Sequence, residues 1–356
     1  METSVMEENK NITIIDVARR AGVSKGTVDR VLHNRGEVSA KSAEKVRQAI
    51  RDLDYEPNLY ASLLATRKNH VIACLLPRSV KGEYWDKLRN GFVQGGEAVS
   101  NLGAEVKIFE YDQYDPESFA AVCSQVLASE PAGVVLPPLF KNDTLLFTEK
   151  LHKAGVPYVY VDSRLEDEHY LAYFGMPTYR SGYLCAYLLT ERCQDVPKVA
   201  VIRITRDKTR RSDPTIDRRA GFSDYMQEMF PDSEIINVFI NPNEPDEIAQ
   251  VLDVFFAEHP DVRFVVMFNS RIHLVAPYLQ AHPVEGRRVI GFDDLDLNME
   301  ALSSGAVTVL IAQHTEAQSS KAVATLVDYV VLHKEPGKRD NYMHMDILTS
   351  LNQENY

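Results

Sequence analysis

Nine continuous apolar runs of strand length divide the chain from His70 onward, and amphipathic stretches of helical length separate them. The runs are Val71–Leu76, Val106–Phe109, Gly133–Leu136, Tyr158–Val161, Val199–Ile204, Ile235–Phe239, Phe264–Phe268, Val289–Phe292 and Val307–Ile311. Continuous rather than alternating apolarity is typical of strands covered on both faces, as in parallel sheets with crossover helices. Because nine strands exceed one ordinary sheet, the pattern predicts an α/β body of two doubly wound subdomains.

Ligands of doubly wound sheets bind beyond the carboxyl ends of the strands, so two facing sheets predict a cleft between the subdomains. Tyr84 and Trp85 follow the first apolar run, and their aromatic rings are suited to stacking on the apolar face of a ligand. Asp162, Ser163 and Arg164 follow the fourth run, where the chain is expected to cross first between subdomains. These side chains are candidates for the cleft.

Composition restricts the class of protein. A chain of 356 residues with 45% hydrophobic and 25% charged residues is expected to form two or three globular domains. No apolar run approaches the roughly 20 residues of a membrane helix, and the opening METSVMEENK lacks the apolar region of a secretory signal. The four cysteines form no C-x-x-C pair or metal-ligand spacing, which is typical of buried thiols in a reducing compartment. We therefore expect a cytoplasmic protein with no membrane partner, metal or cofactor.

Charge is distributed unevenly along the chain. Residues 11–70 carry eleven Lys or Arg against seven acids, although the whole chain has a net charge of −12. A basic head on an acidic body can present one face to phosphate groups. By itself this asymmetry is equally compatible with a random fluctuation on solvated faces.

The basic segment has the pattern of three short helices. Thr13 can cap a first helix whose apolar residues Ile14, Val17, Ala18 and Ala21 share one face. Gly22 follows, where a sharp turn favours positive φ, and Ser24 can cap a second helix. A third helix carries an apolar face of Ala43, Val46, Ile50 and Leu53. This arrangement predicts a helix-turn-helix module whose second helix enters a major groove of DNA.

The stretch from Thr13 to His70 resembles the DNA-binding head and hinge of the lactose-repressor (LacI/GalR) family. That family's pattern runs T-I-x-D-V-A-x-x-A-G-V-S-x-x-T-V-S-R-V-L-N, then V-S-x-x-T-R-x-x-V and L-G-Y-x-P-N-x-x-A-R-x-L, and nearly every fixed position is met here. The resemblance implies that Lys25, Gly26 and Arg30 occupy base-reading positions, where Arg and Lys pair best with guanine. It also assigns phosphate-contacting positions, which are Thr13, Ser24, Thr27 and Asn34.

Two features of the head differ from, or extend, this pattern. Asp29 stands where the family has Ser. It either accepts a hydrogen bond from cytosine or, as we favour, pairs with Lys25 one turn earlier on the same helix.

The hinge from Pro57 to Leu64 is too short to be a stable helix alone and is expected to fold when two copies pack on DNA. By resemblance, Leu64 inserts into the minor groove and kinks the duplex. Ser62 replaces the usual Arg of the hinge.

The body resembles the type I periplasmic-binding-protein fold that this family joins to its head. The residues that carry the resemblance are Arg218-Arg219-Ala220-Gly221-Phe222, Val289-Ile290-Gly291-Phe292-Asp293-Asp294, and Gln313 after the last apolar run. By match, Arg218, Asn269, Asp293 and Gln313 occupy effector-binding positions, although Ser270 replaces the Asp that usually follows Asn269. Guanidinium, amide and carboxylate groups can each form two hydrogen bonds to neighbouring hydroxyls, as a sugar requires.

The predicted organisation is an all-α helix-turn-helix head with a hinge helix, followed by the two subdomains. Its boundaries are a tail at 1–10, the head at 11–57, the hinge at 58–69, the first subdomain at 70–162 plus 313–336, and the second at 163–312 plus 337–356.

A basic cluster stands out inside the acidic body. It comprises Arg203, Arg206, Lys208, Arg210, Arg211, Arg218 and Arg219. A solvated loop is the ordinary interpretation. If the loop overhangs the cleft, the cluster favours an anionic effector such as a uronate or a sugar phosphate.

These features predict an effector-responsive transcriptional regulator, expected to be a repressor, that binds a pseudo-palindromic DNA operator as a homodimer. The tail after Ser350 has no leucine heptads, which favours a dimer over a tetramer. A solute-binding protein of sugar transport is the alternative, but it would need a secretory signal and no basic head. An enzyme is not expected, because the chain has no G-x-G-x-x-G, Walker A, G-x-S-x-G or H-E-x-x-H motif.

Overall fold

The computed structural model describes residues 12–32, 36, 38–55, 69–166, 168–191, 193, 195–204 and 214–356. The chain divides into two compact units, a head within residues 1–68 and a body from Asn69 to Tyr356. Several predictions lie outside the described residues: the tail at 1–10, Asn34, the hinge with Leu64, and the basic residues between 205 and 213.

The head consists of three helices, as the sequence predicts. They are α1 (Ile14–Ala21), α2 (Lys25–Leu32) and α3 (Ala40–Asp52). Their core is built on Val17, Val28 and Val46, which are completely buried. Gly22 has a φ of 66°, so the left-handed turn between α1 and α2 falls where a side chain would be strained.

The body contains two six-stranded sheets. The first has the order β2-β1-β3-β4-β5-β11 and is entirely parallel. The second has the order β7-β6-β8-β9-β10-β12, in which only β12 is antiparallel. The strands are β1 (His70–Pro77), β2 (Ala104–Tyr111), β3 (Gly133–Leu136), β4 (Tyr158–Asp162), β5 (Ala172–Gly175), β6 (Lys198–Ile204), β7 (Glu234–Ile240), β8 (Phe264–Met267), β9 (Arg288–Phe292), β10 (Val309–Ala312), β11 (Asp340–Tyr342) and β12 (Asp346–Leu348).

Helices cover both faces of each sheet, which gives each subdomain its own apolar core. The helices are α4 (Tyr84–Val99), α5 (Pro116–Ala128), α6 (Lys141–Lys153), α7 (Thr178–Thr190), α8 (Pro214–Met229), α9 (Pro245–Glu258), α10 (Ala276–Ala281), α11 (Asp296–Ser303) and α12 (Thr315–Leu332). Across the described ranges, none of the helices has both the length and the apolarity that a bilayer-spanning segment needs.

All nine apolar runs form strands, but three further strands escaped the sequence analysis. β11 and β12 are three-residue edge strands of mixed polarity and give no continuous apolar signal, whereas β5 lies in an apolar stretch, Leu171–Phe174, that the sequence analysis overlooked. They change the division of the body. Because β5 pairs with β4 and β11 pairs with β5, both belong to the first sheet, although the predicted boundaries assign residues 163–312 and 337–356 to the second subdomain. The first crossing therefore comes after Gly175 rather than after Asp162.

Candidate effector site and nucleic-acid interface

A cavity of about 620 Å³ lies where the strands of both sheets end. Tyr84 and Trp85 reach it from the segment after β1, and Asp162 reaches it from the end of β4. The second sheet contributes the segments after β8 and β9. Seven of the eight predicted effector residues line this one cavity: Tyr84, Trp85, Asp162, Arg218, Asn269, Asp293 and Gln313.

Two buried aspartates occupy equivalent places in the two subdomains. Asp162 ends β4 and Asp293 follows β9, and they are 6% and 2% exposed. Their φ angles are 66° and 68°, a left-handed conformation that is uncommon for residues other than glycine. Strained backbone of this kind concentrates at functional sites, because the surrounding structure must be built to hold it.

Amide side chains fix the carboxylate of Asp293. Gln313 Nε2 donates to Asp293 Oδ1 at 2.6 Å, and Gln318 Nε2 donates to Gln313 Oε1 at 3.2 Å, which orients the first amide. Asn298 Nδ2 donates to the carbonyl oxygens of Ser270 (2.9 Å) and Asp293 (3.0 Å). Asn298 and Gln318 therefore hold the site together, although the sequence analysis did not single them out; both are completely buried amides, a class that must find partners.

Arg218 brings a positive charge to the buried carboxylates. The residue is 3% exposed, its Nη1 donates to the carbonyl oxygen of Phe268 at 2.8 Å, and its guanidinium lies 4.3 Å from the centre of the Phe292 ring. In the part of the chain that is described, its buried Nε has no hydrogen-bond partner. A buried donor without a partner is costly, so the enclosure of this N–H is an energetic penalty that the surrounding structure must offset.

Tyr84 behaves differently from the stacking residue that the sequence analysis predicts. Its hydroxyl donates to Asp162 Oδ1 at 2.5 Å and accepts from Gln313 Nε2 at 3.3 Å. Burial and the nearby charges of Asp162 and Asp293 raise the pKa of Tyr84 well above its usual value, so the hydroxyl keeps its proton. Trp85 packs edge-on against Tyr84, with ring centres 5.1 Å apart, and remains half-buried at the cavity.

Burial also raises the pKa of Asp293, to about 6, although Arg218 and Gln313 act in the opposite direction. A ligand whose hydroxyls donate to the carboxylate favours the ionised form, because hydrogen bonds to a charged acceptor are stronger. We therefore expect ligand affinity to be constant above about pH 7 and to fall as the pH drops through about 6.

Titrations of one ligand between about pH 5 and pH 8 check this expectation. Asp293→Asn should weaken binding at the upper end and remove the pH dependence. His273 also lines the cavity, and its pKa is lowered, chiefly by burial. His273→Gln is the control and should keep the fall in affinity; a fall that disappears in this variant instead assigns the titration to the imidazole.

Two ion pairs cross between the subdomains beside the cavity. Lys87 Nζ of α4 lies 2.8 Å from Asp294 Oδ2, after β9, and Arg271 Nη2, after β8, lies 3.1 Å from Glu83 Oε1. The sequence analysis missed all four residues, since charged residues of these types are usually solvated. The Lys87 and Asp294 side chains are only 20% and 16% exposed, so we expect their ion pair to contribute more to stability than a fully solvated surface pair.

Arg164 is the predicted effector residue that the structure separates from the others. Its Nη2 lies 3.4 Å from Asp340 Oδ2 of β11, and it lines a different cavity with Arg180 and Asp217. The sequence analysis placed it in the cleft because it expected the chain to cross directly after β4. The additional strands β5 and β11 account for the difference, since β11 supplies the carboxylate that holds Arg164.

The described lining of the effector cavity carries more acid than base. The acids are Glu83, Asp162, Asp293, Asp296 and Glu300, and the Lys and Arg residues are Lys81, Arg218 and Arg271. Of the predicted basic cluster, Arg203 packs against the ring of Phe239, 5.1 Å from its centre, and Arg218 lies in the cavity. The described part of the site therefore favours a neutral ligand over an anionic one.

The second helix of the head presents its predicted DNA-contacting residues outward. Ser24, Lys25, Gly26 and Arg30 are exposed, and Thr27 and Asp29 are half-buried. Ser24 Oγ accepts from the backbone N–H of Thr27 at 3.2 Å, and in front of α1 both the N–H and the hydroxyl of Thr13 donate to Asp16. Arg30 Nε donates to the carbonyl oxygen of Gly26 at 3.2 Å, so its guanidinium lies over the residue without a side chain. The pairing of Asp29 with Lys25 stays a prediction.

Comparison with known protein families shows to which family this chain is related. Residues 13–58 match the model of the bacterial regulatory proteins of the lacI family, and residues 72–335 match that of the periplasmic binding protein domain. A solved structure of a chain from Bacteroides fragilis assigned to the LacI transcriptional regulators is 34% identical to this chain, with a TM-score of 0.76 over 81% of this chain and 100% of the other. The chain belongs to the LacI family.

Named relatives of this LacI-family chain are regulators. The ribose operon repressor of Halalkalibacterium halodurans is 26% identical over 80% of this chain and 81% of its own length. Catabolite control protein A of Staphylococcus aureus is 28% identical over 158 residues, which are 44% of this chain and 46% of that protein. This match therefore spans less than half the length of catabolite control protein A.

Proposed function

We propose that the chain is a cytoplasmic, DNA-binding transcriptional repressor that binds a pseudo-palindromic operator as a homodimer and responds to a neutral sugar. The observation that carries the proposal is the set of buried polar side chains, Asp162, Arg218, Asp293 and Gln313, that converge on one cavity between the subdomains. Burying two carboxylates and a guanidinium is costly for folding alone, which favours a binding role.

The chemistry of the cavity fits a polyol. Asp293 supplies acceptors, the guanidinium of Arg218 supplies N–H donors, and half-buried Asn269 adds an amide. The aromatic surface of Trp85 complements the apolar face of a sugar ring. Aromatic surface combined with a few convergent hydrogen-bonding groups is typical of a small-molecule site.

The head supports the DNA-binding half of the proposal. Lys25 and Arg30 are exposed on α2, the helix that enters the major groove in a helix-turn-helix module. Two heads require a two-fold related site, so a homodimer and a pseudo-palindromic operator follow from each other. Effector and operator must change each other's affinity by the same factor. This factor typically corresponds to a coupling free energy of about 1–3 kcal/mol.

The DNA half is tested by selecting binding sites from random duplexes with the full chain and then measuring variants on the selected site. We expect Arg30→Ala and Lys25→Ala each to weaken binding by about 1–3 kcal/mol and to relax discrimination at one base pair. Arg51→Ala is the matched control, because Arg51 is an exposed head arginine that pairs with Glu44 on α3. Equal losses in all three variants would mean that only net charge matters and would contradict base reading by α2.

The effector half is tested by fluorescence. Trp85 is the single tryptophan of the chain and lines the cavity, so its emission should report a ligand without any label. A sugar that changes Trp85 emission should also change the affinity for the selected duplex. A solute-binding protein would bind the sugar but leave the DNA unshifted, both as the full chain and as residues 69–356 alone.

A further inference from the structure

The start of α4 is bound to the second subdomain by charged side chains. Lys87 Nζ donates both to the carboxylate of Asp294, at 2.8 Å, and to its carbonyl oxygen, at 2.9 Å. Glu83, which directly precedes α4, accepts from Arg271 Nη2 at 3.1 Å. Because Glu83 and Lys87 are one helical turn apart, one helix end of the first subdomain makes all of these contacts.

These contacts lie away from the connections between the two sheets. The chain passes from one sheet to the other after β5, after β10 and after β11. The strands that these connections join, β5 and β11 with β10 and β12, are the last two at one edge of each sheet, whereas β3 and β4 separate β1 from that edge. A body connected at one edge can open about this edge, as two-domain proteins do on closing and opening. Contacts made by the segment after β1 then oppose opening.

The two partners in the second subdomain are held in place by amide side chains. The backbone N–H of Arg271 donates to Asn269 Oδ1 at 2.9 Å. Asn298 Nδ2 donates to the carbonyl oxygen of Asp293, the residue before Asp294, at 3.0 Å. Since the backbone is fixed at both places, forming the ion pairs orders only side chains, which reduces the entropy cost that makes many surface pairs ineffective.

The two ion pairs differ in their exposure to salt. The Lys87 and Asp294 side chains are 20% and 16% exposed, whereas those of Arg271 and Glu83 are 26% and 40% exposed. Dissolved ions screen solvated charges strongly, with a Debye length of about 3 Å at 1 M, but screen partly buried pairs much less. The pair of Arg271 with Glu83 should therefore weaken first as the salt concentration rises.

We propose that the two ion pairs form an electrostatic latch between the subdomains, so that monovalent salt opens the effector cavity. The pair of Arg271 with Glu83 is the salt-sensitive part of the latch, and the pair of Lys87 with Asp294 is the salt-resistant part. The latch belongs to the body and needs neither sugar nor DNA. Salt then acts on the regulator in a second way, in addition to weakening contacts with DNA phosphates.

Acrylamide quenching of Trp85 in the full chain tests the latch without any ligand. Trp85 is the single tryptophan, lies between Glu83 and Lys87 in the sequence, and lines the cavity. Quenching constants should be measured from about 0.05 M to about 1 M KCl and divided by those of N-acetyltryptophanamide in the same buffers. Because loss of an exposed pair shifts an equilibrium by about two- to fivefold, we expect this ratio to rise by about twofold with salt.

Variants separate the two parts of the latch. Lys87→Met should give a high ratio already at low salt. Glu83→Gln should raise the low-salt ratio and remove most of the salt dependence. Glu83→Arg and Arg271→Glu should each raise the ratio, and the two substitutions combined should restore the wild-type value, because the pair is re-formed with its charges exchanged. Lys198→Met is the matched control, since Lys198 pairs with Asp261 at 2.7 Å within the second subdomain, and it should behave like the wild type.

A wild-type ratio that does not change with salt would overturn the inference, as would an exchanged pair that stays as accessible as its two single variants. Circular dichroism of each variant excludes unfolding as the cause of a high ratio. If Lys87→Met does not fold, the exchange of Glu83 with Arg271 still decides. Failure of the latch leaves the proposed function intact, because the response of Trp85 emission and DNA affinity to sugar is measured separately at one salt concentration.

Discussion

Arg218→Met is expected to weaken effector binding by at least about 100-fold, because removing one member of a buried set of charges costs about 2–5 kcal/mol. The substitution deletes both the donor without a partner and the only Lys or Arg charge among the buried groups of the described cavity lining. Since Arg218 lowers the pKa of Asp293, its loss should also raise that pKa above about 6. Asp293 then takes up a proton near neutral pH, which removes its charge and makes it a weaker acceptor for sugar hydroxyls.

Arg219→Met is the matched control for this prediction. Arg219 is the next residue of α8 and is half-buried, but it does not line the cavity. Both variants should retain wild-type circular dichroism, and only Arg218→Met should lose the response of Trp85 emission to sugar. Loss of the response in both variants would assign the effect to the helix as a whole rather than to the buried guanidinium.

Gly182→Ala is expected to destabilise the body by more than about 3 kcal/mol, although alanine is intrinsically favoured over glycine in a helix by about 1 kcal/mol. A Cβ atom at Gly182 in α7 would lie 1.8 Å from the carbonyl oxygen of Arg218 in α8. The opposing Gly221 has the same restriction, because its Cβ would lie 2.0 Å from the carbonyl oxygen of Tyr179. Since backbone atoms cannot rotate aside, the two helices must separate, which also displaces Arg218 from the effector site.

Chemical denaturation of the full chain measures this effect. Gly337→Ala is the control, since a Cβ at Gly337 would meet nothing within 4 Å and should change the free energy of unfolding by less than about 1 kcal/mol. A Gly182→Ala protein as stable as the wild type would mean that α7 and α8 are not held at this close contact.

Much of the fold follows from local pattern. The apolar runs predict nine of the twelve strands, because burial on both faces requires continuous apolar residues, and this requirement can be read without knowing the partners. The head is equally predictable: the caps at Thr13 and Ser24, the turn at Gly22 and the core residues Val17 and Val46 fall where the pattern predicts them. The convergence of seven predicted residues on one cavity also follows from the pattern, since the carboxyl ends of strands meet at one edge of a sheet.

Strand pairing at the sheet edge and the contacts between distant side chains could be known only from the tertiary structure. The short strand β11 pairs with the edge of β5, and its residues Asp340–Tyr342 carry too little apolar signal to predict it. The same edge determines that Arg164 pairs with Asp340 instead of entering the cavity. The hydroxyl of Tyr84 donates a hydrogen bond to Asp162, which is 78 positions away in the sequence. Lys87 donates to Asp294, which is 207 positions away. Sequence determines which side chains are polar or apolar, but pairing across such separations depends on where the folded sheets bring them.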